Sequence, residues 1–247
     1  MVICCDWISN WVQPREYYQL DVALLGLRSA GKSSLVGVLK NNTFRTDTLP
    51  TLRKTTTTLR MHNLVTTPPT SAQISTETTP LLDANTKQPA PPSKLLLKIH
   101  DPSGQHKFQH LWTDIIASPQ ISLIIFLIDI SDTLTIEEAR TKLHEIILFN
   151  NKHRKLPMIV VCNKTDLVAD YRYFVANKKT KNLKLNKPIL GSNEDVMLEY
   201  LGVERHDTKL LLEGHTELLF DFKLRLVSLK SAQTDLQHDL VSLLTKR

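Results

Sequence analysis

An α/β fold with a mostly parallel sheet covered by helices on both faces follows from three features of this 247-residue chain. Short apolar runs alternate with segments of helical period. The strongest run, 123–128, stops at Asp129, as a buried strand does. A turn bounded by Gly26 and Gly31 joins the first apolar run to the first helical segment, and with only seven glycines in the chain their placement carries weight.

In chain order, residues 1–18 predict a separate amphipathic helix. Val2, Ile3, Cys4, Trp7, Ile8, Trp11 and Val12 recur at helical spacing, and Pro14 ends or bends the segment. Residues 20–25 predict a strand and 32–40 a helix. Strands follow at 94–100 and 121–129. An amphipathic helix spans 136–149, its start marked by Ser131 or Thr133 and by the early acids Glu137 and Glu138. Residues 157–162 predict a buried strand, and 195–201 a short helix stopped by Gly202. A strand at 224–228 and a closing helix at 234–244 complete the alternation. Two stretches break it. Residues 66–93 hold six of the twelve prolines and many threonines, which predicts an inserted surface loop. Residues 171–187 carry Lys178, Lys179, Lys181, Lys184 and Lys187, an inserted basic loop. The expected layout is a helix at 1–18 and one α/β domain at 19–247 with those two insertions.

Composition narrows the classes. Hydrophobic residues make up 41% and charged residues 23%, which excludes wholesale disorder and fibrous architectures. No stretch of about eighteen apolar residues occurs, so no membrane-spanning helix is expected. The net charge of +6 permits an anionic partner without choosing one. Its basic residues are scattered through loops without interleaved aromatics, which argues against nucleic acid. Cys4, Cys5 and Cys162 cannot build a disulfide framework, and the first residues lack the pattern of a secretory signal. A cytoplasmic setting is the expectation.

The chemistry lies in three segments. Gly26-Leu27-Arg28-Ser29-Ala30-Gly31-Lys32-Ser33 fits G-x-x-x-x-G-K-[ST] between a predicted strand and a predicted helix. Backbone N–H groups from Gly26 through Ser29, Ala30, Gly31, Lys32, Ser33 and Ser34 can surround phosphates, helped by the helix N-terminus. Lys32 would reach the β- and γ-phosphates and the Ser33 hydroxyl would ligate Mg²⁺. Asn163-Lys164-Thr165-Asp166 follows a strand at the sheet's carboxyl edge, where α/β folds bind ligands. A carboxylate at Asp166 can accept hydrogen bonds from both N1–H and the 2-amino group of guanine, donors that adenine lacks. Asp101-Pro102-Ser103-Gly104-Gln105 follows another strand. There Asp101 would hold Mg²⁺ through water, the Gly104 N–H would approach the γ-phosphate, and Gln105 would orient the attacking water. Together the segments point to a regulatory GTPase, with GTP, GDP and Mg²⁺ as its ligands.

The chain resembles the Ras-like small GTPases, a P-loop NTPase fold, and within them the Arf/Sar branch. Residues 101–112, D-P-S-G-Q-H-K-F-Q-H-L-W, resemble that branch's D-x-G-G-Q-x-x-x-R-x-x-W, keeping Asp101, Gly104, Gln105 and Trp112. Thr48-Leu49-Pro50-Thr51 resembles the first switch, which implies that Thr51 senses γ-phosphate and ligates Mg²⁺. Glu138-Ala139-Arg140 is similar to the helix after the fourth-strand aspartate. Ser228-Leu229-Lys230 resembles the loop that contacts guanine through its backbone. The resemblance covers 19–62, 94–168 and 192–247. It implies a switch that hydrolyses GTP slowly and recruits effectors at a membrane surface in vesicle or endomembrane traffic, with exchange factors and GTPase-activating proteins as partners. A non-cycling GTP-bound scaffold is the alternative.

Departures from that pattern are specific to this chain. Arg53 and Lys54 replace a glycine and an aromatic, His100 replaces a tryptophan, and Ile115 replaces an aromatic. In the Arf branch those aromatics form an effector-reading surface, so different effectors are expected. Ser103 replaces the first glycine of the Gly-Gly pair, which bears on movement of the second switch. Arg28 is expected to face solvent. By the same resemblance residues 2–12 would contact membrane peripherally. Val2 excludes N-myristoylation, while Cys4 and Cys5 are candidate acylation sites.

Overall fold

The computed structural model describes residues 18–41, 44, 55–62, 94–132, 134–167 and 194–231. The expected helix at 1–18 (all but Tyr18), the first-switch residue Thr51, the insertions at 66–93 and 171–187 and the closing helix at 234–244 lie outside the described residues.

Five strands form the parallel body of the main sheet: β1 (Tyr18–Gly26), then, beyond an edge strand β2 (Thr55–His62), β3 (Lys94–Asp101), β4 (Leu123–Asp129) and β5 (Met158–Asn163), and lastly β9 (Phe222–Leu226). Their order is β2-β3-β1-β4-β5-β9, with only β2 antiparallel to its neighbour. Every residue of β4 and β5 is buried, because helices cover both faces. That is why these strands read as continuous apolar runs with no alternation.

Side chains alternate between the two faces. Leu123, Ile125 and Leu127 of β4 pack with Leu35, Val38 and Leu39 of α1 (Lys32–Asn41). Ile124, Phe126 and Ile128 face the other way, against Trp112, Ile115 and Ile116 of α2 (Leu111–Ala117) and Leu143, Ile146 and Ile147 of α3 (Ile136–His153). Each such fully buried side chain contributes about 1.5–3 kcal/mol. Helix α4 (Glu194–Tyr200) adds Leu198 to this second layer, and it ends at Gly202, whose φ of 74° is the left-handed cap geometry.

Several expected boundaries are corrected. Helix α3 starts at Ile136 as the sequence predicts, but its N-cap is Thr135, in place of the expected marker Ser131 or Thr133, and the cap side chain makes no hydrogen bond. Ser131 is engaged elsewhere, its hydroxyl donating to Asp129 Oδ1 at 2.6 Å. Strand β4 begins at Leu123 and not at 121, because the Ile121 N–H closes a turn onto Ser118 O and the Ser122 N–H bonds Asp21 O. Strand β9 ends at Leu226, short of the expected 228, so Ser228 sits in a loop leading to the 3-10 turn Leu229–Ser231.

Five elements were not anticipated. The edge strand β2 is threonine-rich, and α2 is only seven residues long. A separate antiparallel sheet comprises β6 (Val203–His206), β7 (Lys209–Leu212) and β8 (Thr216–Glu217), with Val203, Leu212 and Leu218 tucked into the core on the α3 side. At the far end of α2 the Arg154 guanidinium donates to the carbonyls of Ala117, Ser118 and Ile121 at 3.0–3.2 Å. It satisfies carbonyls that the end of a short helix leaves unpaired. No helix among the described residues is long and apolar enough to cross a membrane.

Candidate functional site

The carboxyl ends of β1, β3 and β5 converge on a cavity of about 420 Å³. Its lining brings together Ser29, Gly31, Lys32, Ser33 and Ser34 from the first loop, Gly104 and Gln105 from the segment after β3, Asn163, Lys164 and Asp166 from the end of β5, and Leu229 and Lys230. Residues more than a hundred positions apart in sequence thus share one hollow. Of the other expected site residues, Gly26 and Ala30 accept through their carbonyls from Lys32 and Asn163, Ser228 donates to Asp166, and Asp101 acts electrostatically on Lys32.

Lys32 is buried beneath the first loop, and its amine donates to Gly26 O at 2.8 Å and Leu27 O at 3.0 Å. Burial lowers its pKa, and the Asp101 carboxylate at the end of β3 pulls it back up. Gly31 has a φ of 101°, and a Cβ there would collide with the Asn163 amide. Only glycine fits. A Cβ on Gly104 would lie 2.6 Å from both Gly26 O and Lys32 Nζ, so the segment after β3 rests directly on the phosphate-type loop.

Asn163 ties three pieces together. Its amide donates to Ala30 O at 3.0 Å, and its Oδ1 accepts from the Leu229 N–H at 3.3 Å. Asp166 Oδ1 accepts from the Ser228 hydroxyl at 2.6 Å, and the Thr165 N–H bonds Val227 O. These bonds join the loop after β9 to the end of β5. Lys164 has a φ of 67°, uncommon for a residue with a side chain, and its amine is held by Asp129.

On the other rim, Ser103 is 2% exposed. Its Oγ accepts from the Gln105 N–H at 3.3 Å, and its carbonyl accepts from Trp112 Nε1 at 3.3 Å. Gln105 itself is half-buried on the cavity wall at the start of the 3-10 turn His106–Phe108. Arg28 lines the cavity but is exposed, as expected.

Ser33 and Asp101 supply hard oxygen donors at the Lys32 end. That donor set suits a cation shared between one hydroxyl, a carboxylate, water and phosphate. Among the described residues no group of three His, Cys, Asp or Glu gathers to hold a metal, and a phosphate-shared ion needs none. Sequence reasoning missed Phe44 and Leu167 in the cavity wall. Phe44 is a lone aromatic in a polar stretch and carries no local signal.

The sequence model of the ADP-ribosylation factor family matches residues 71–205, more than half of the chain. The chain belongs to that family. It is an Arf-family small GTPase, a member of a group of GTP-binding switches. ADP-ribosylation factor-like protein 8b of Arabidopsis thaliana is 24% identical over 166 residues, covering 65% of this chain and 70% of the relative. ADP-ribosylation factor-like protein 4C of Homo sapiens is 29% identical over 151 residues, 61% of this chain and 63% of the relative. The structure of the Arl6 BBS3 small GTPase from Trypanosoma brucei, bound to the nucleotide analogue GppNp, superimposes with a TM-score of 0.53 at 14% identity. It covers 93% of this chain and 99% of that one. At that identity the likeness establishes the Ras-like fold. The family match begins beyond the first phosphate-type loop, so in this Arf-family GTPase that loop is read from its own pattern and geometry.

Proposed function

We propose that this chain binds GTP and GDP in the 420 Å³ cavity, hydrolyses GTP slowly, and recruits effectors to a membrane surface. The observation that carries the reading is the convergence of Lys32, Asn163, Asp166 and Gln105 on one hollow at the carboxyl edge of the sheet.

Lys32 and the loop amides take the phosphates. Asp166, oriented by the Ser228 hydroxyl, reads the guanine edge, and Asn163 couples that reading to the phosphate loop through Ala30. Phe44 offers an aromatic wall for the base. Ser33, Asp101 and Thr51 are the groups for Mg²⁺, which when bound offsets charge on the phosphate oxygens. In the reaction the water oxygen bonds the γ-phosphorus as the bond to the bridging oxygen breaks, the electron pair leaves with GDP, and the water's proton goes to the inorganic phosphate released. Gln105 orients that water, since phosphoryl transfer needs positioning and charge stabilisation more than covalent help. Turnover without a partner is expected on the order of 10⁻⁴ s⁻¹, as in Ras, with a GTPase-activating protein accelerating it and an exchange factor reloading it. Peripheral membrane contact through residues 2–12 completes the proposal.

The test loads the protein with GTP and Mg²⁺ and follows bound nucleotide over hours beside Gln105→Leu, with liposome pelleting of the same samples. Slow hydrolysis lost in the variant, together with GTP-favoured pelleting, supports the switch. Tight guanine binding with no turnover, and pelleting indifferent to nucleotide, would replace it with a GTP-bound scaffold.

A further inference from the structure

The first loop carries two basic side chains, and they are held differently. Lys32 is 6% exposed, and its amine is pinned on two carbonyls, Gly26 O at 2.8 Å and Leu27 O at 3.0 Å. Arg28 is exposed on the wall of the 420 Å³ cavity. Among the described residues no carbonyl or carboxylate pairs with its guanidinium. A planar fork of donors that spends none of them on its own chain is available to a ligand.

The backbone around Arg28 fixes which end of the cavity it serves. A Cβ on Gly104 would lie 2.6 Å from the Leu27 carbonyl carbon and 2.6 Å from Lys32 Nζ. The Leu27 carbonyl carbon is the atom to which the Arg28 nitrogen is bonded. Arg28 therefore leaves the loop where the loop touches the segment that carries Gln105. Directly after it, Ser29 turns the chain with a φ of 63°, and the Ala30 N–H closes back on Leu27 O at 3.4 Å. Asp166 belongs to a different part of the wall, the end of β5, where it bonds Ser228.

We propose that Arg28 is a specificity residue for the third phosphate. Its guanidinium folds over the cavity and makes a bidentate pair with the terminal phosphate of a nucleoside triphosphate, so the site distinguishes GTP from GDP. A terminal phosphate presents more free oxygens than an inner one, in a geometry that the guanidinium fork matches. Loss of that phosphate removes the partner and returns the side chain to water. The identity of the nucleotide rests on the proposed guanine-nucleotide switch. The phosphate contact rests on the free fork and its place beside Gly104.

The test titrates the full chain in Mg²⁺ with GppNp and with GDP, as wild type, Arg28→Ala and Arg28→Lys, and follows the Arg28 Nε–H signal by NMR. Arg28 is exposed, so both variants should fold. Arg28→Ala is expected to weaken GppNp binding about tenfold more than GDP binding. Arg28→Lys keeps a charge without the fork and should recover only part of that difference. The Nε–H signal should shift with GppNp and stay in place with GDP. Equal losses for the two ligands, full recovery by lysine, or a signal indifferent to GppNp would overturn the proposal. Inorganic tripolyphosphate and pyrophosphate separate its failure from that of the switch. A tripolyphosphate preference that Arg28→Ala removes, with no binding of GDP or GppNp, upholds the phosphate contact and defeats the switch reading. GDP binding with no preference that depends on Arg28 does the reverse, and absence of all binding overturns both.

Discussion

The Asp129 carboxylate at the end of β4 holds the Lys164 amine, and through its other oxygen it accepts the N–H and hydroxyl of Ser131 at 3.0 and 2.6 Å. Lys164 stands between Asn163 and Asp166 with a left-handed backbone, so this pair steadies the loop that presents both. Asp129→Asn keeps the shape and removes the charge. GDP release is expected to quicken about tenfold, equivalent to about 1.4 kcal/mol, as read by stopped-flow fluorescence of a labelled GDP. Unchanged release would show that the loop holds itself.

On the proposed reading, Lys32 gives up stability in the nucleotide-free chain for a phosphate contact. Burial depresses its pKa, so between the folded value and the ordinary lysine value the unfolded chain binds more protons. Wild-type stability therefore rises with pH across that window. Lys32→Met is expected to abolish nucleotide binding and to stabilise the nucleotide-free chain by about 1 kcal/mol near neutrality. That advantage should shrink as pH climbs towards the lysine value of 10.5. Urea midpoints at two pH values check both the sign and the slope.

Gly31→Ala meets two obstacles, a φ of 101° and the Asn163 amide. A loss of about 1–3 kcal/mol is expected in chemical denaturation. Adding Asn163→Ala removes the collision and leaves the backbone strain, so the double variant should lose less than the two single losses summed.

Trp112 is 1% exposed, bonds Ser103 O through Nε1, and meets Phe126 edge-on at 6.0 Å between centroids. Trp112→Phe keeps a ring but gives up that hydrogen bond and volume. A loss of about 1–3 kcal/mol is expected, measured by the urea midpoint. A variant as stable as wild type would mean that the Ser103 carbonyl finds another donor.

The main sheet was legible because β4 and β5 are buried on both faces and write themselves as unbroken apolar runs. Strand β2 was not, because an edge strand of threonines has little apolar alternation and takes its partner, β3, across a long insertion. Strands β6 to β8 are two to four residues long, too short for any period to show. The start of α3 at Ile136 was legible but its cap was not, because Ser131, a capping type, spends its hydroxyl on Asp129. At the candidate site, residues within contiguous motifs were all named from sequence. Phe44 and Asp129 were assigned no role there, because their meaning comes from partners that only the fold brings near.

The Arg154 clamp on Ala117, Ser118 and Ile121 anchors one end of the stretch that begins at Ser103. A segment pinned at its far end behaves as a lever. Displacement at Gln105, on the wall of the proposed nucleotide cavity, would reach α2 as rotation about a fulcrum near Ser118, its amplitude fading towards β4. Surface near Phe108 and Leu111 would then report the nucleotide, while the β4 core beneath stays still.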